Sequence, residues 1–433
     1  MKKLILSLAA TPLILGSMAV SAQAADDGLN IFSDVKFKGE LRPRYQYKDV
    51  KDSGKDAGST VTNRTNLNFS AKLFEVDGFN GTMELNAVND FGSQEQTNID
   101  QSAEHVGAKI SQANISYTAG GVTGIAGRKT VNLDNQRFIG SVGWKQNFQT
   151  LDLAAVAYGA GDFSLLAAYV YGVNTIGDDG YDYGQGNKYP GSGSGRTNSV
   201  AVNASYKVMD PLKITGYAYL LGSASDTYGV AATGNISAGD SIKINYRAEV
   251  AMQQKATLKT YADGVIPNDS LFGTAMYANL DVGANISGFL VGLNYELLGG
   301  DSDITDADKT AFQTPLATKH KFNGWADQFL NTPSTGLADL NIRGGYKSKS
   351  IGKLLAVYHM FAAAADGATT SAGDAYGSEL DLLYATKVPG VNNLGLLVKA
   401  ALFMNDDAIN GASSYNSDTT MAWVQLDYKF ATK

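Results

Sequence analysis

The final segment of the chain carries an apolar residue at every second position. From Met421 to Phe430 the sequence reads MAWVQLDYKF, and every second residue from Ala422 onward is apolar. Successive side chains of a β-strand point to opposite faces, so one face of this segment is apolar and ends in two aromatic rings. Such a strand suits a wall between lipid and water, and it also suits a half-buried strand of a soluble sandwich. The other face carries Trp423, Gln425, Asp427 and Lys429.

The N-terminal residues have the features of a secretory signal peptide. Two lysines precede an apolar run that extends to Val20, and an A-x-A cleavage site ends at Ala24. We therefore expect residues 1–24 to be removed and residues 25–433 to form a single domain. No later stretch reaches the roughly 18 unbroken apolar residues of a membrane-spanning helix. The mature chain is then periplasmic, secreted or inserted in the outer membrane of a Gram-negative cell envelope.

The alternating pattern recurs along the whole mature chain and predicts an all-β fold. An even number of segments is expected of a bacterial barrel, and we count eighteen; sixteen strands remain the competing count if 109–129 or 212–236 pairs differently. The predicted strands are 35–48, 61–74, 81–91, 109–118, 122–129, 150–158, 163–173, 197–208, 212–221, 226–236, 241–254, 272–283, 288–298, 336–346, 353–362, 376–387, 394–404 and 419–430.

The connections between these segments alternate in length. Those after even-numbered strands are short, such as 119–121 and 209–211, and most of those after odd-numbered strands are long and polar, such as 130–149 and 299–335. Only 222–225 departs from the rule. This difference in length between the two ends is that of a transmembrane antiparallel β-barrel with long extracellular loops, short periplasmic turns and both termini in the periplasm. A soluble sandwich has no reason to separate its loop lengths in this way.

Composition narrows the classes of function. Without the signal peptide and its two lysines, 33 basic residues face 42 acidic ones, a formal net charge of −9, which disfavours nucleic-acid binding. Three histidines and no cysteine argue against a zinc site and against thiol chemistry. We expect no metal, no cofactor and no nucleic-acid partner. The expected partners are outer-membrane lipid and lipopolysaccharide on the outside and small hydrophilic or anionic solutes on the inside.

If the apolar faces meet lipid, the charged faces line a pore. An arginine or lysine on the outer face at the lipid midplane costs about 2–4 kcal/mol, so the free energy favours placing the charged faces inward. Six of the eight arginines fall in predicted strands, and all six can be placed on the inner face. They either form a track for acidic solutes or are neutralised by inner-face acids such as Glu40, Glu249 and Glu296. The residues expected to line the pore are Arg42, Arg44, Arg64, Lys72, Arg128, Lys243, Arg247, Glu249 and Arg343.

The loop at 130–149 has the composition of a segment that folds into a barrel lumen. It is long, and it carries Phe138 and Trp144 as apolar anchors among hydrogen-bonding side chains. We expect it to narrow the pore, the alternative being an exposed cap over the mouth. The expected constriction residues are Asp134, Asn135, Gln136 and Arg137.

Three blocks of sequence resemble the alginate-export-type outer-membrane porins: 127–147, 246–253 and 312–333. The resemblance extends from the strand at 35 to the end of the chain and implies an eighteen-stranded barrel with a basic lumen, a fold whose members in some cases pass anionic polysaccharide. It implies contact with an anionic solute for Arg42, Arg44, Arg64, Arg128 and Arg247, and a constriction-side block that contains Lys129, Asp134, Asn135 and Arg137. This lumen has fewer inward arginines than the polymer exporter, which favours a general or anion-preferring porin.

The function expected from these observations is passive diffusion of small hydrophilic solutes, with an anion preference left open. The alternative is a dedicated exporter of an anionic, alginate-like polysaccharide, and the barrel is either a monomer or a homotrimer. An adhesin or a structural barrel would differ from both by not conducting ions.

No catalytic residues are expected. The histidines at 105, 320 and 359 lie in unrelated segments, and no G-x-S-x-G motif accompanies them. The block at 312–333 combines Lys319, His320, Trp325 and Asp327, which fits a packed loop over the pore mouth better than a catalytic site. The aspartates of DSDITDAD at 301–308 lack the spacing of a calcium loop and are expected to form a solvated acidic loop.

Overall fold

The computed structural model describes residues 31–91, 106–176, 197–222, 224–254, 274–300, 311–366, 372–406 and 417–432. The predicted signal peptide at 1–24 and the acidic segment at 301–308 lie outside these ranges. No helix in the described ranges is long and apolar enough to cross a membrane. The helical content described is a single 3-10 turn at Lys319–Lys321.

Eighteen strands account for most of the described residues. Their number and positions confirm the count of eighteen over sixteen, with boundaries within a few residues of those expected from the alternation. The strands are β1 Phe32–Val50, β2 Gly58–Leu73, β3 Phe79–Asp90, β4 Gly107–Ala119, β5 Val122–Lys129, β6 Thr150–Ala160, β7 Phe163–Asn174, β8 Ser199–Met209, β9 Leu212–Leu220, β10 Asp226–Ala238, β11 Ile242–Gln254, β12 Ala275–Ile286, β13 Phe289–Leu298, β14 Leu337–Ser348, β15 Gly352–Ala362, β16 Ala375–Lys387, β17 Leu394–Asn405 and β18 Thr419–Ala431.

Each strand pairs with its neighbours in sequence, and the sheet closes on itself. All the ladders are antiparallel, and β1 pairs with both β2 and β18. Closure removes the exposed strand edges that an open sheet would carry. The predicted all-β antiparallel barrel is therefore confirmed.

The strand faces follow the alternation of the sequence. On β18, Val424 is 44% exposed and Tyr428 is 38% exposed, whereas Trp423 on the other face is 1% exposed. Aromatic rings gather on the outer face at the short-turn end, where Phe37 packs against Phe69 and Phe430 at centroid distances of 4.9 and 5.8 Å. Aromatic rings near the ends of strands are typical of barrel walls that meet a lipid–water boundary.

The connections keep the expected difference in length. Two residues join β4 to β5 and β7 follows β6 after two, whereas twenty residues separate β5 from β6. The connection from β9 to β10 is short, as the sequence indicates. The long loops thus share one end of the barrel, and two of them determine what fills its interior.

Candidate functional site

The loop at 130–149 crosses the inside of the barrel. Its central residues lie against β1 and β2, where Arg42 Nη1 donates to the carbonyl of Gly143 at 2.8 Å and Arg64 Nη1 donates to the carbonyl of Lys145 at 3.1 Å. Arg44 donates to the carbonyl of Trp144 between them. Three arginines from adjacent strand positions therefore hold consecutive carbonyls of the loop.

The first part of the same loop reaches the opposite wall. Asp134 Oδ2 accepts from Arg247 Nη2 on β11 at 2.5 Å, and Arg137 pairs with Glu296 on β13 through two bonds of 2.8 and 3.0 Å. In the barrel order, β11 and β13 lie across from β1 and β2. Arg247 lies seven residues below the long-loop end of its strand, which ends at Gln254, so the crossing is well inside the barrel.

A second long loop, at 311–336, packs beside the first. Ile139 and Leu316 form a parallel bridge, and Gly140 N donates to the carbonyl of Leu316 at 2.9 Å. The side chain of Thr318 donates to Gln136 Oε1 at 2.9 Å, and its amide donates to the carbonyl of the same residue at 3.1 Å. We call residues 130–149 and 311–336 together the lumenal layer.

Acidic strand residues anchor the second loop to the wall. Ala326 N donates to Glu379 Oε1 at 2.7 Å and Trp325 N donates to Asp381 Oδ2 at 3.2 Å, so two adjacent inward carboxylates of β16 accept backbone amides. Phe329 packs on Phe361 of β15 at a centroid distance of 4.5 Å. The block at 312–333 was expected to cover the pore mouth, and the structure instead places it against the inner wall. Sequence patterns do not locate a loop whose partners are this distant in the chain.

All three tryptophans of the chain surround one lysine. The ammonium of Lys399 on β17 lies 4.0 Å from the ring centroid of Trp144, 3.8 Å from that of Trp325 and 5.2 Å from that of Trp423. Cation–π contacts of this kind are strongest when they are removed from water, as here. Because the rings come from both loops and from β18, this cage joins the lumenal layer to the wall.

His320 completes the same cluster. Its Nε2 lies 2.8 Å from Lys399 Nζ, its Nδ1 lies 2.7 Å from Asp327 Oδ1, and its ring stacks on Trp144 at 4.8 Å. Burial lowers the pKa of His320 to about 3, so the ring is neutral at neutral pH. Nε2 then accepts from the lysine and Nδ1–H donates to the carboxylate. This arrangement uses every polar atom of the ring in structural bonds.

The inward arginines are matched by carboxylates. Glu40 accepts from both Arg42 and Arg64, at 2.9 and 2.6 Å, and Arg247 also pairs with Glu249 at 2.7 Å. Of the two interpretations left open by the sequence, neutralisation by inner-face acids therefore accounts for these contacts. The carboxylates fix the guanidinium groups, which in turn hold the lumenal layer.

The remaining predicted residues lie nearer the short-turn end. Arg343 on β14 forms two bonds of 2.5 and 3.0 Å with Asp281 on β12. Gly292 lies between them on β13, and a Cβ there would stand 2.6 Å from an Arg343 nitrogen, so glycine makes room for the side chain. Lys72 pairs with the exposed Asp77 at 2.6 Å, and Lys243 is exposed on the face that carries Arg247.

Arg128 does not share the inward orientation of the other strand arginines. It lies opposite Ala113 on β4 and opposite Asp152 on β6, and directly opposed residues share a face. That face also carries Ala126 and the exposed Ala154, on the outside of the wall. The expectation that Arg128 lines the pore is wrong. The guanidinium is instead paired with Asp152 at 2.7 and 2.9 Å near the long-loop end, where both side chains are buried.

The four predicted constriction residues lie together where the two loops meet. Asp134 and Arg137 bind the β11 and β13 wall, and Gln136 binds Thr318. The carbonyl of Asn135 accepts from Lys321 Nζ at 2.8 Å. The structure thus brings these residues together at the inner junction of the lumenal layer.

Two lysines at this junction were not assigned to the pore from the sequence. Lys319 Nζ donates to Asn331 Oδ1 and Lys321 Nζ donates to the carbonyl of Asn135, each at 2.8 Å, and neither pairs with a carboxylate in the described part of the chain. Partial burial, together with the neighbouring Arg137, lowers the pKa of Lys319 to about 8. The close spacing of basic residues in TKHK at 318–321 is the signal that could have identified them.

The short-turn half of the interior remains open to water. Lys38 on β1 and Lys243 and Asn245 on β11 are exposed on the inward faces of their strands. Within the described ranges, no group of three or more histidine, cysteine or acidic side chains is placed to hold a metal ion. The interior at this end is therefore a polar, water-accessible vestibule, and the lumenal layer crosses the barrel beyond it.

No protein-family model matches the chain, and no curated protein sequence matches it. Solved structures are similar in fold. The chain superposes on Acinetobacter baumannii OccAB2 with a TM-score of 0.72 at 14% identity, covering 94% of this chain and 100% of that one. Pseudomonas aeruginosa OpdO gives 0.69 at 13% identity, over 93% and 99% of the two chains. Pseudomonas aeruginosa OpdQ gives 0.66 at 15% identity, over 93% and 100%. At these identities the similarity establishes the eighteen-stranded barrel fold.

Proposed function

We propose that this chain is an outer-membrane porin that lets small hydrophilic solutes diffuse passively through a lumen narrowed by the lumenal layer, with a preference for anions. The observation that carries the proposal is a closed barrel whose interior is accessible to water at the short-turn end. Toward the long-loop end the interior is crossed by the loop at 130–149, which is hydrogen-bonded to opposite walls. The apolar outer face, with aromatic rings at its turn end, supports placement in lipid. Outer-membrane lipid and lipopolysaccharide are then the partners of that face.

The anion preference rests on the loop lysines more than on the strand arginines. Each inward arginine near the layer has an anionic or backbone partner, whereas Lys319 and Lys321 donate to neutral oxygens. A neutral acceptor leaves the ammonium charge uncompensated, so both lysines raise the local concentration of anions. The lumenal layer, which crosses the interior, also argues against export of a polysaccharide, because a polymer needs a continuous wide path.

We expect the double variant Lys319→Glu, Lys321→Glu to lose its chloride preference. Reversal potentials in a planar bilayer under a potassium chloride gradient should favour chloride for the parent protein. The ratio of chloride to potassium permeability should fall about threefold or more in the variant, because four units of charge change at the narrow section. Lys207→Glu is the matched control, since Lys207 pairs with Asp210 at the short-turn end. A potassium-favouring parent, unaffected by the double change, would contradict the anion preference.

The chloride preference should also weaken as the pH rises. Lys319 carries its charge below its pKa of about 8 and loses it above that value, so the preference should be larger at pH 7 than at pH 9. Reversal potentials measured across this range test the expectation. Arginine stays protonated throughout, so Lys319→Arg should remove most of the pH dependence. An equal slope in Lys319→Arg and the parent would assign the effect to other groups.

A further inference from the structure

One sector of the inner wall is apolar, unlike the polar interior expected of such a barrel. On β6 and β7 the inward residues Leu153, Ala155, Leu166 and Ala168 are aliphatic, and they continue the buried face that includes Val170. The outer face of the same strands is also apolar, with Val156 and Tyr169 exposed. This sector therefore needs a reason for apolar residues on the water side.

Packing of the first loop explains only part of this surface. Val131, Leu133 and Ile139 of the lumenal layer lie against it. A partly open cavity of about 230 Å³ nevertheless remains between the loop and the wall. Its barrel side is aliphatic, with Ile125 on β5, Ala155 on β6 and Ala168 on β7 in one row across the wall. Apolar cavities of about 150 Å³ in proteins bind compact hydrocarbons such as benzene, so this one has room for a short alkyl chain.

A basic side chain stands at the edge of this cavity. Lys129, the last residue of β5, lines it together with Thr130 and Asn132. Within the described ranges the side chain of Lys129 forms no hydrogen bond or ion pair, and the residue is only half-buried. An ammonium beside an aliphatic cavity matches a solute with an anionic head and an apolar tail.

We propose that this cavity binds short-chain alkyl carboxylates, with the alkyl chain between the loop and β5–β8 and the carboxylate at Lys129. The binding step rests on the proposed function, since the solute reaches the cavity from the lumen. The cavity gives the channel a site that retains amphipathic acids, while fully polar ions pass it.

Matched alanines on one strand provide the test. Ala155 faces the cavity, and its neighbour Ala154 faces outward. Binding of hexanoate and of propionate to the detergent-solubilised barrel is measured by isothermal titration calorimetry. The parent should bind hexanoate more tightly, by up to about fourfold for each additional buried CH₂ group. Ala155→Leu fills the cavity and should remove this chain-length dependence, whereas Ala154→Leu should keep it.

A second pair and a charge variant complete the design. Ala168→Leu should behave like Ala155→Leu, and Ala167→Leu like Ala154→Leu, so the result does not depend on one variant folding. Lys129→Gln should weaken hexanoate by about tenfold, as expected for loss of one charge-assisted bond, and leave 1-hexanol unchanged. Equal affinity of the parent for hexanoate and propionate, or equal effects of the inward and outward leucines, would overturn the proposal. Chloride conductance is recorded in parallel, and its absence would refute the proposed channel function without deciding on binding.

Discussion

Replacing residues 131–148 by a four-residue Gly-Ser turn is expected to raise the single-channel conductance about threefold, because a barrel of this size otherwise encloses an aqueous channel. The turn would join Thr130 to Gln149, and the adjoining pair Lys129 and Leu151 is already opposed in the β5–β6 ladder. The barrel wall is therefore preserved, while the segment that crosses the interior is removed. Conductance in planar bilayers is the measurement.

The control for this change is a loop of the same end that does not enter the interior. Residues 51–57 join β1 to β2 and carry the exposed Lys51, which pairs with Asp418 at 2.8 Å. Replacing 52–56 by glycine and serine should leave the conductance unchanged. If the barrel without 131–148 conducts like the parent, this loop does not form the constriction, and the narrowing must be sought in 311–336.

Arg137→Ala is expected to cost about 3–5 kcal/mol of folding free energy, as breaking a buried ion pair usually does. Arg137 and Glu296 are each 3% exposed at the side chain, and the substitution leaves the carboxylate with only neutral donors such as Asn323. Urea unfolding of the detergent-solubilised barrel measures the loss. The open-channel current should also become noisier, because the loop loses its tie to β13.

Arg343→Ala is the matched control for that loss. Its pair with Asp281 is 26% and 21% exposed, so water screens it and the cost should be about 1 kcal/mol or less. Adding Glu296→Gln to Arg137→Ala should restore part of the stability, because it removes the buried unpaired charge. Equal losses for the two arginines would mean that burial of the Arg137–Glu296 pair does not determine its contribution.

The strands were predictable from the sequence because their information is local. Alternation with period two specifies both the strand and its lipid-facing side, and Trp423 and Val424 lie on the expected faces. Arg128 was misplaced because charge alone suggested an inward side chain, while the register through Ala113 and the neighbouring Asp152 determines its face. A paired carboxylate on the next strand is not visible in a single strand's pattern.

The interior was less predictable because its contacts join distant parts of the chain. The composition of 130–149 was enough to indicate a lumenal loop, but its partners Arg247 and Glu296 lie more than 100 positions away. The path of 311–336 depends on Glu379 and Asp381 of β16, and nothing in the sequence distinguishes these two carboxylates from other acids on the inner face. Lys319 and Lys321 gain their position only from this folded path.

The closing ladder between β1 and β18 has a consequence for the order of assembly. The amide of Thr432 donates to the carbonyl of Phe37 at 2.9 Å, so the two margins of the sheet meet across almost the whole length of the polypeptide. Until the final strand has arrived, β1 and β17 each have one unpaired edge with which any extended peptide can pair. The β1–β18 ladder, which closes the barrel, is thus the slowest contact to form. Protecting the unpaired edges of β1 and β17 is then the main task of any chaperone that binds the unfolded chain.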